Sequence, residues 1–171
     1  MKVRRASKSD AKRIAEISRV AFEKAFRSKE NADEVDEYLA ALDTTYFETS
    51  MASPGCQFLV ISADEEVFGF AQLIKKTPPK EVGTAWLKLE RLYLNPARIG
   101  TGAGKLLMQE YLNLARQDAT EFAWLEVLNT NKRAVEFYER LGFVTFDTCP
   151  GKFKDPEAHD LRMKKRLNNP Q

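Results

Sequence analysis

The sequence predicts a mixed α/β fold in which most helices cross between strands. β-rich apolar runs such as Phe58–Ile61 and Phe122–Val127 alternate with stretches of helical period such as Ile14, Ile17, Ala21 and Ala25. Turn signals at Pro54-Gly55, Pro78-Pro79, Asn95-Pro96 and Gly142 separate them. The predicted order is one strand, two or three helices, three strands, a helix, a strand, a helix and two strands.

Taken in order, Val3–Ala6 is the first strand, and Ser7 or Ser9 caps the helix that follows. Ser28–Asp33 is polar and breaks that helix. Further helices are expected at Glu34–Leu42 and Thr45–Met51. Phe58–Ile61 and Val67–Ile74 form a hairpin around Ala63-Asp64-Glu65-Glu66. Lys75–Gly83 is a loop, and Trp86–Leu94 is a strand stopped by Asn95-Pro96. The next helix runs to about Gln117, with Leu107, Tyr111 and Leu114 on one face. After the strand Phe122–Val127, Asn131 opens a helix with Ala134, Phe137, Tyr138 and Leu141 at i, i+3, i+4 and i+7. Gly142 ends it as a C-cap glycine. Phe143–Phe146 and Asp160–Lys165 are the last strands, around a polar loop Thr148–Glu157, and Asn168–Gln171 is a frayed end.

Composition narrows the function. A chain of 171 residues, 43% hydrophobic and 30% charged, fits one soluble domain with a single core. A net charge of +2, from 27 basic and 25 acidic residues, argues against a nucleic-acid or anionic-membrane partner. The apolar runs are too short to span a bilayer, and Met1–Arg5 lacks the apolar core of a signal peptide. Two cysteines, Cys56 and Cys149, make neither a disulfide framework nor a zinc site. With a single histidine, His159, a metal site and a His-dependent triad are not expected. The expected location is the cytoplasm.

The chemistry concentrates in Arg98-Ile99-Gly100-Thr101-Gly102-Ala103-Gly104-Lys105, between a strand and a helix. A helix N-terminus offers unpaired N–H groups and the positive end of its dipole, and glycines let a backbone approach an anion closely. The spacing excludes two ligands. A Walker A loop needs a glycine where Ile99 stands and a hydroxyl where Leu106 stands. A dinucleotide fingerprint needs Gly-x-Gly-x-x-Gly after the first strand, whereas these glycines alternate and follow the fourth.

The loop resembles the coenzyme A pyrophosphate loop of the GNAT superfamily, the Gcn5-related N-acetyltransferases, whose motif is Gln/Arg-x-x-Gly-x-Gly/Ala. Gly102 and Gly104 match its glycines. Ile99 occupies the Gln/Arg position, with Arg98 one residue early. Leu92-Tyr93-Leu94-Asn95-Pro96 is similar to the family's strand end. Asn131 through Phe143 is close to its Asn-x-x-Ala-x-x-Phe-Tyr-x-x-x-Gly-Phe signature. Leu89-Glu90-Arg91-Leu92-Tyr93 and His159–Lys165 further resemble the PaiA-type polyamine acetyltransferases of bacteria.

The resemblance implies a mostly antiparallel sheet of six or seven strands, splayed between the fourth and fifth and flanked by about four helices. It implies acetyl-CoA as cosubstrate, without a metal. The pyrophosphate would sit on the N–H groups of Ile99, Gly100, Thr101, Gly102, Ala103, Gly104 and Lys105, and the pantetheine on the backbone of Leu92, Tyr93 and Leu94. Asn131 would bind pantetheine, though as an Asn it serves equally as an N-cap. Tyr138 would protonate the departing thiolate, though its helical period also suits a core aromatic. Glu90 is either a base, a carboxylate for a cationic acceptor, or one half of an ion pair. The acidic run Glu30–Glu37 is either an acceptor wall or a solvated face. Trp86, Trp124, Phe68 and Phe70 are expected in the core, and Lys75, Lys76 and Lys80 in solvent.

The expected reaction is direct acetyl transfer to a primary amine, narrowed to a polyamine such as spermidine by the second resemblance. The alternatives are a protein N-terminus, another small amine, or a non-catalytic acyl-CoA-binding regulator. The expected assembly is a monomer or homodimer.

Overall fold

A computed structural model describes residues 1–81, 85–151 and 158–167. In chain order its described elements are β1 (Lys2–Arg5), α1 (Ala11–Phe26), α2 (Ala32–Ala40), α3 (Thr44–Ala52), β2 (Cys56–Ala63), β3 (Glu66–Lys75), β4 (Trp86–Leu94), α4 (Ala103–Gln117), β5 (Phe122–Leu128), α5 (Lys132–Arg140), β6 (Val144–Pro150) and β7 (His159–Arg166). The mixed α/β class and the order of elements are as predicted, with three helices between the first two strands. The sheet has the order β1-β2-β3-β4-β5-β7-β6. β4 and β5 are parallel, with α4 as their crossover. The pairs β1/β2, β2/β3, β5/β7 and β6/β7 are antiparallel.

The chain divides into two compact units, Met1–Ile74 with Arg91–Tyr111, and Lys75–Glu90 with Leu112–Gln171. β4 and α4 each contribute residues to both.

In the first unit, α1 places Ala11, Ile14, Ile17 and Phe22 in the core, and α3 adds Phe47. The predicted stripe holds for Ile14 and Ile17, whereas Ala25 is exposed. The large Phe22 ring takes the last buried turn of α1 instead, because it covers more apolar surface than alanine. The Phe47 ring lies 6.0 Å from Phe58 and 5.8 Å from Phe70, both edge to face. The β2–β3 hairpin turns at Asp64 and Glu65, whose φ angles of 49° and 66° are those of a primed turn matched to strand twist. Gly69 leaves room for Leu94: a Cβ there would stand 2.3 Å from the Leu94 Cδ2.

The start of α1 is built by charge. A 3-10 turn, Lys8–Asp10, precedes the helix. The Asp10 carboxylate accepts from the Ser7 N–H at 2.8 Å and the Ser7 hydroxyl at 3.0 Å. Arg4 reaches it with two nitrogens, each at 2.8 Å. Arg4 chiefly, with help from Ser7, holds the Asp10 carboxyl down at about 2 against the opposing effect of burial. An Asp whose folded pKa lies below its unfolded value near 3.9 contributes stability that is full above that value. The contribution is then lost as pH falls toward about 2. We therefore expect Asp10→Asn to cost about 1–2 kcal/mol at pH 7, discounted because Arg4 is partly exposed. Denaturant melts at descending pH should show the gap between wild type and variant closing below about pH 4. A gap independent of pH would remove the charge argument.

In the second unit, β5 lies between β4 and β7. Trp124 is fully buried and donates its indole N–H to the Lys76 carbonyl at 2.7 Å. Trp86 stacks on Phe122 at 4.5 Å. The β4/β5 ladder joins Trp86–Leu89 to Phe122–Leu125, although β4 continues to Leu94 and β5 to Leu128. β6 runs further than predicted and takes up Asp147 and also Thr148 to Pro150, which were expected in a polar loop. The register with β7, which shifts between Thr145 and Asp147, holds them there. The remaining expectations for Gly83, for most of the Thr148–Glu157 loop and for Asn168–Gln171 lie outside the described residues.

Candidate active site

In the first unit, Leu92, Tyr93 and Leu94 end β4 and run directly into the glycine loop. Asn95 closes the strand: its N–H donates to the Phe68 carbonyl at 2.7 Å and its side chain accepts from the Ala97 N–H at 3.0 Å. That cap starts a 3-10 turn, Pro96–Arg98. Arg98 lies 5.0 Å above the Phe68 ring, and its carbonyl accepts from the Thr101 hydroxyl at 2.7 Å. Residues Ala97 to Gly102 are exposed. Gly100 and Gly102 have φ angles of +88° and +87°, and a Cβ at either would meet nothing within 4 Å. These glycines therefore answer a backbone need and leave open space beside the chain.

The first intrahelical bond of α4 runs from the Leu106 N–H to the Gly102 carbonyl at 3.1 Å. The N–H groups of Ala103, Gly104 and Lys105 precede it and so lie before the helical ladder begins. Open space, left-handed glycines and a helix N-terminus fit a pyrophosphate. Ile99 is 41% exposed, and its N–H donates to the Pro96 carbonyl at 3.3 Å. Its backbone donor is thus already engaged inside the turn. The Tyr93 side chain is packed, edge to face with Phe70 at 5.8 Å and Phe22 at 6.3 Å.

In the second unit, Asn131 caps α5, its side chain accepting from the Ala134 N–H at 3.3 Å. Gly142 has φ +83°. Its N–H meets the Glu139 carbonyl at 2.8 Å and the Phe143 N–H meets the Tyr138 carbonyl at 3.1 Å, a Schellman end. Of the predicted α5 stripe only Tyr138 is buried, its ring against Phe137 at 5.3 Å and Phe143 at 6.1 Å. Burial pushes the Tyr138 phenol well above its ordinary range and keeps it protonated.

Glu90 lies in an ion-pair network that sequence reasoning only half foresaw. Lys88, two residues away on the same face of β4, bonds Glu90 at 2.8 Å and Glu126 at 2.7 Å. Arg162 reaches Glu126 at 3.0 Å and Asp147 at 2.7 Å. Burial would push the Lys88 ammonium down, but Glu90 and Glu126 outweigh it and raise it. Burial would likewise raise the Glu126 carboxyl, but Lys88 and Arg162 hold it low. The only sequence signal was the Lys88/Glu90 alternation, since the rest depends on the register of distant strands. In the acidic run Glu30–Glu37, the residues Asp33, Asp36 and Glu37 are exposed, and Asp36 pairs with Arg27. Trp86, Trp124, Phe68 and Phe70 are buried, and Lys75, Lys76 and Lys80 are exposed, as expected.

The sequence model of the Acetyltransferase (GNAT) family matches residues 11–143. The chain belongs to that family. This GNAT protein is an acetyltransferase by family. It is 26% identical over 169 residues to the "Uncharacterized N-acetyltransferase in pepI 3'region" of Lactobacillus delbrueckii subsp. lactis, covering 98% of each chain. Its fold matches the crystal structure of PaiA N-acetyltransferase from Thermoplasma acidophilum in complex with coenzyme A. There the TM-score is 0.76 at 21% identity, over 96% of this chain and 98% of that one. A Salmonella typhimurium acetyltransferase, solved with its cofactor acetyl-CoA, has a TM-score of 0.73 at 22% identity, over 100% and 96% of the two chains. Among the described residues no cluster suited to a metal ion is found, and no helix is long and apolar enough to cross a membrane.

Proposed function

We propose that this GNAT protein acetylates a primary amine by direct attack on acetyl-CoA, with a polyamine such as spermidine as the first acceptor to test. The carrying observation is the loop: two left-handed glycines with open space beside them, opening α4 directly after β4. In this reading Gly100, Thr101, Gly102, Ala103, Gly104 and Lys105 hold the pyrophosphate, with Ile99 contributing a shared donor. The backbone of Leu92, Tyr93 and Leu94 binds the pantetheine by strand addition, and an N–H there polarises the thioester carbonyl. Asn131 adds a pantetheine contact beside its capping role.

The amine nitrogen bonds to the carbonyl carbon and the carbon–sulfur bond breaks. Tyr138 gives its phenolic proton to the sulfur, and the amine loses a proton to water. Glu90, already in contact with Lys88, is assigned to the attraction of a cationic acceptor. Direct attack is supported at Cys149, whose thiol is pushed up by burial and by Glu126 and is therefore a poor nucleophile. We further place the chain in the cytoplasm, as one domain over residues 1–171, a monomer or homodimer that binds neither nucleic acid nor membrane. The near-neutral charge supports the last two, and the passage of β4 and α4 through both units supports the single domain.

The test is thiol release from acetyl-CoA against spermidine, spermine, short diamines and a peptide with a free N-terminus. Turnover with the polyamines is expected. Turnover with the peptide alone would replace the polyamine by a protein N-terminus. Acetyl-CoA binding without turnover on any amine would favour a regulator.

A further inference from the structure

Arg91 is the most heavily engaged buried cation of the first unit. It is 9% exposed, on β4, one residue before Leu92–Leu94. One terminal nitrogen donates to the Gln72 side-chain oxygen at 2.5 Å and to the Tyr46 hydroxyl at 3.2 Å. The other donates to the Tyr38 hydroxyl at 3.2 Å. The guanidinium also lies 5.4 Å from the Tyr46 ring centre. These partners come from β3, α3 and α2, so one side chain ties three elements to β4.

α2 depends on such a tie. It has nine residues, of which only Val35 and Leu39 are buried. A helix that short is not stable by itself and takes its place from tertiary contacts. The Tyr38 ring packs on Phe22 at 4.5 Å, and Phe22 on Tyr93 at 6.3 Å. Tyr93 sits two residues beyond Arg91 on the same face of β4. The hydroxyl and the ring of Tyr38 are thus both referred to the same short piece of strand.

We infer that Arg91 is a positioning residue for the amine acceptor, acting by fixing Tyr38 and Tyr46 beside the end of β4. The inference rests on the reading of Leu92–Leu94 as the place where the donor arm binds. An acceptor nitrogen must come within about 3–3.5 Å of the thioester carbon. Side chains anchored to that strand end therefore flank the approaching amine. A planar fork reaches three oxygens in fixed directions, which a lysine ammonium does not reproduce. The donor contacts are main-chain and run through the glycine loop, so the loss of Arg91 should weaken the acceptor and spare the donor.

The experiment compares wild type with Arg91→Met, Arg91→Lys, Tyr38→Phe and the Arg91→Met/Tyr38→Phe double variant, using acetyl-CoA and the best amine of the panel. Arg91→Met should raise KM for the amine by about tenfold, while KM for acetyl-CoA stays within about twofold. Arg91→Lys should give a partial effect, and the double variant should be no worse than Arg91→Met alone. Equal loss on both substrates, or an additive double variant, would reduce Arg91 to a structural residue and overturn the inference. Hydrogen exchange provides a readout independent of turnover. Amides of Ala32–Ala40 should exchange faster in Arg91→Met, while those of Ala103–Gln117 are unchanged. Unchanged α2 exchange overturns the inference even if no amine is acetylated. An inactive wild type with faster α2 exchange overturns the transferase reading and, with it, the acceptor role.

Discussion

Tyr138→Phe is expected to lower turnover by roughly 10²–10³-fold while leaving acetyl-CoA affinity within about twofold. The substitution removes one oxygen and keeps the ring that packs on Phe137 and Phe143. The fold should therefore survive, and calorimetric binding of acetyl-CoA with single-turnover thiol release would separate affinity from chemistry. The raised phenol pKa is compatible with the role. A protonated phenol is the form that a general acid needs. A thiolate leaving into the same dry surroundings is raised as well, since desolvation penalises both anions. The relative acidity of donor and acceptor thus changes less than either alone. Unchanged turnover would leave Tyr138 as the buried helix aromatic that its spacing also describes.

Gly102→Asp should weaken acetyl-CoA binding by about a hundredfold, about 2.7 kcal/mol, without unfolding the protein. Aspartate is among the residues that tolerate left-handed φ, and a carboxylate at a helix start is favourable to the helix itself. The space beside Gly102 is open, so no side chain needs to move. What suffers is an incoming pyrophosphate, which would meet a fixed negative charge at the start of α4. Thermal melts should thus show a near-unchanged midpoint and titrations a large loss of affinity. A variant that binds acetyl-CoA like wild type would move the pyrophosphate away from this loop.

The proposed site was legible as local structure wherever its residues are neighbours in sequence. Gly100, Gly102 and the start of α4 are neighbours along the chain, so spacing excluded two phosphate loops, and the family resemblance supplied a third. The Asn131 cap and the Gly142 end of α5 follow from the same local logic. The network around Glu90 was not legible. Lys88 is near in sequence, but Glu126 lies 38 residues beyond Lys88 and meets it only through the pairing of β4 with β5. Arg162 and Asp147 enter through the β5/β7 and β6/β7 registers. Arg91 stands inside a family motif, yet nothing near it in the chain signals that Tyr38, Tyr46 and Gln72 converge on it.

By itself, then, the sequence determined the element order and the strand–glycine–helix loop, while the donor came from the resemblance of its motifs to a family. The first two depend on backbone preferences and hydrophobic periods within a few residues. Only the tertiary structure decided the states of the polar side chains. It placed Glu90 on Lys88, Asp36 on Arg27, Arg91 on two tyrosines, and Tyr138 out of water. Those outcomes depend on strand register and on which charges burial forces together, and neither is encoded in any single stretch of chain.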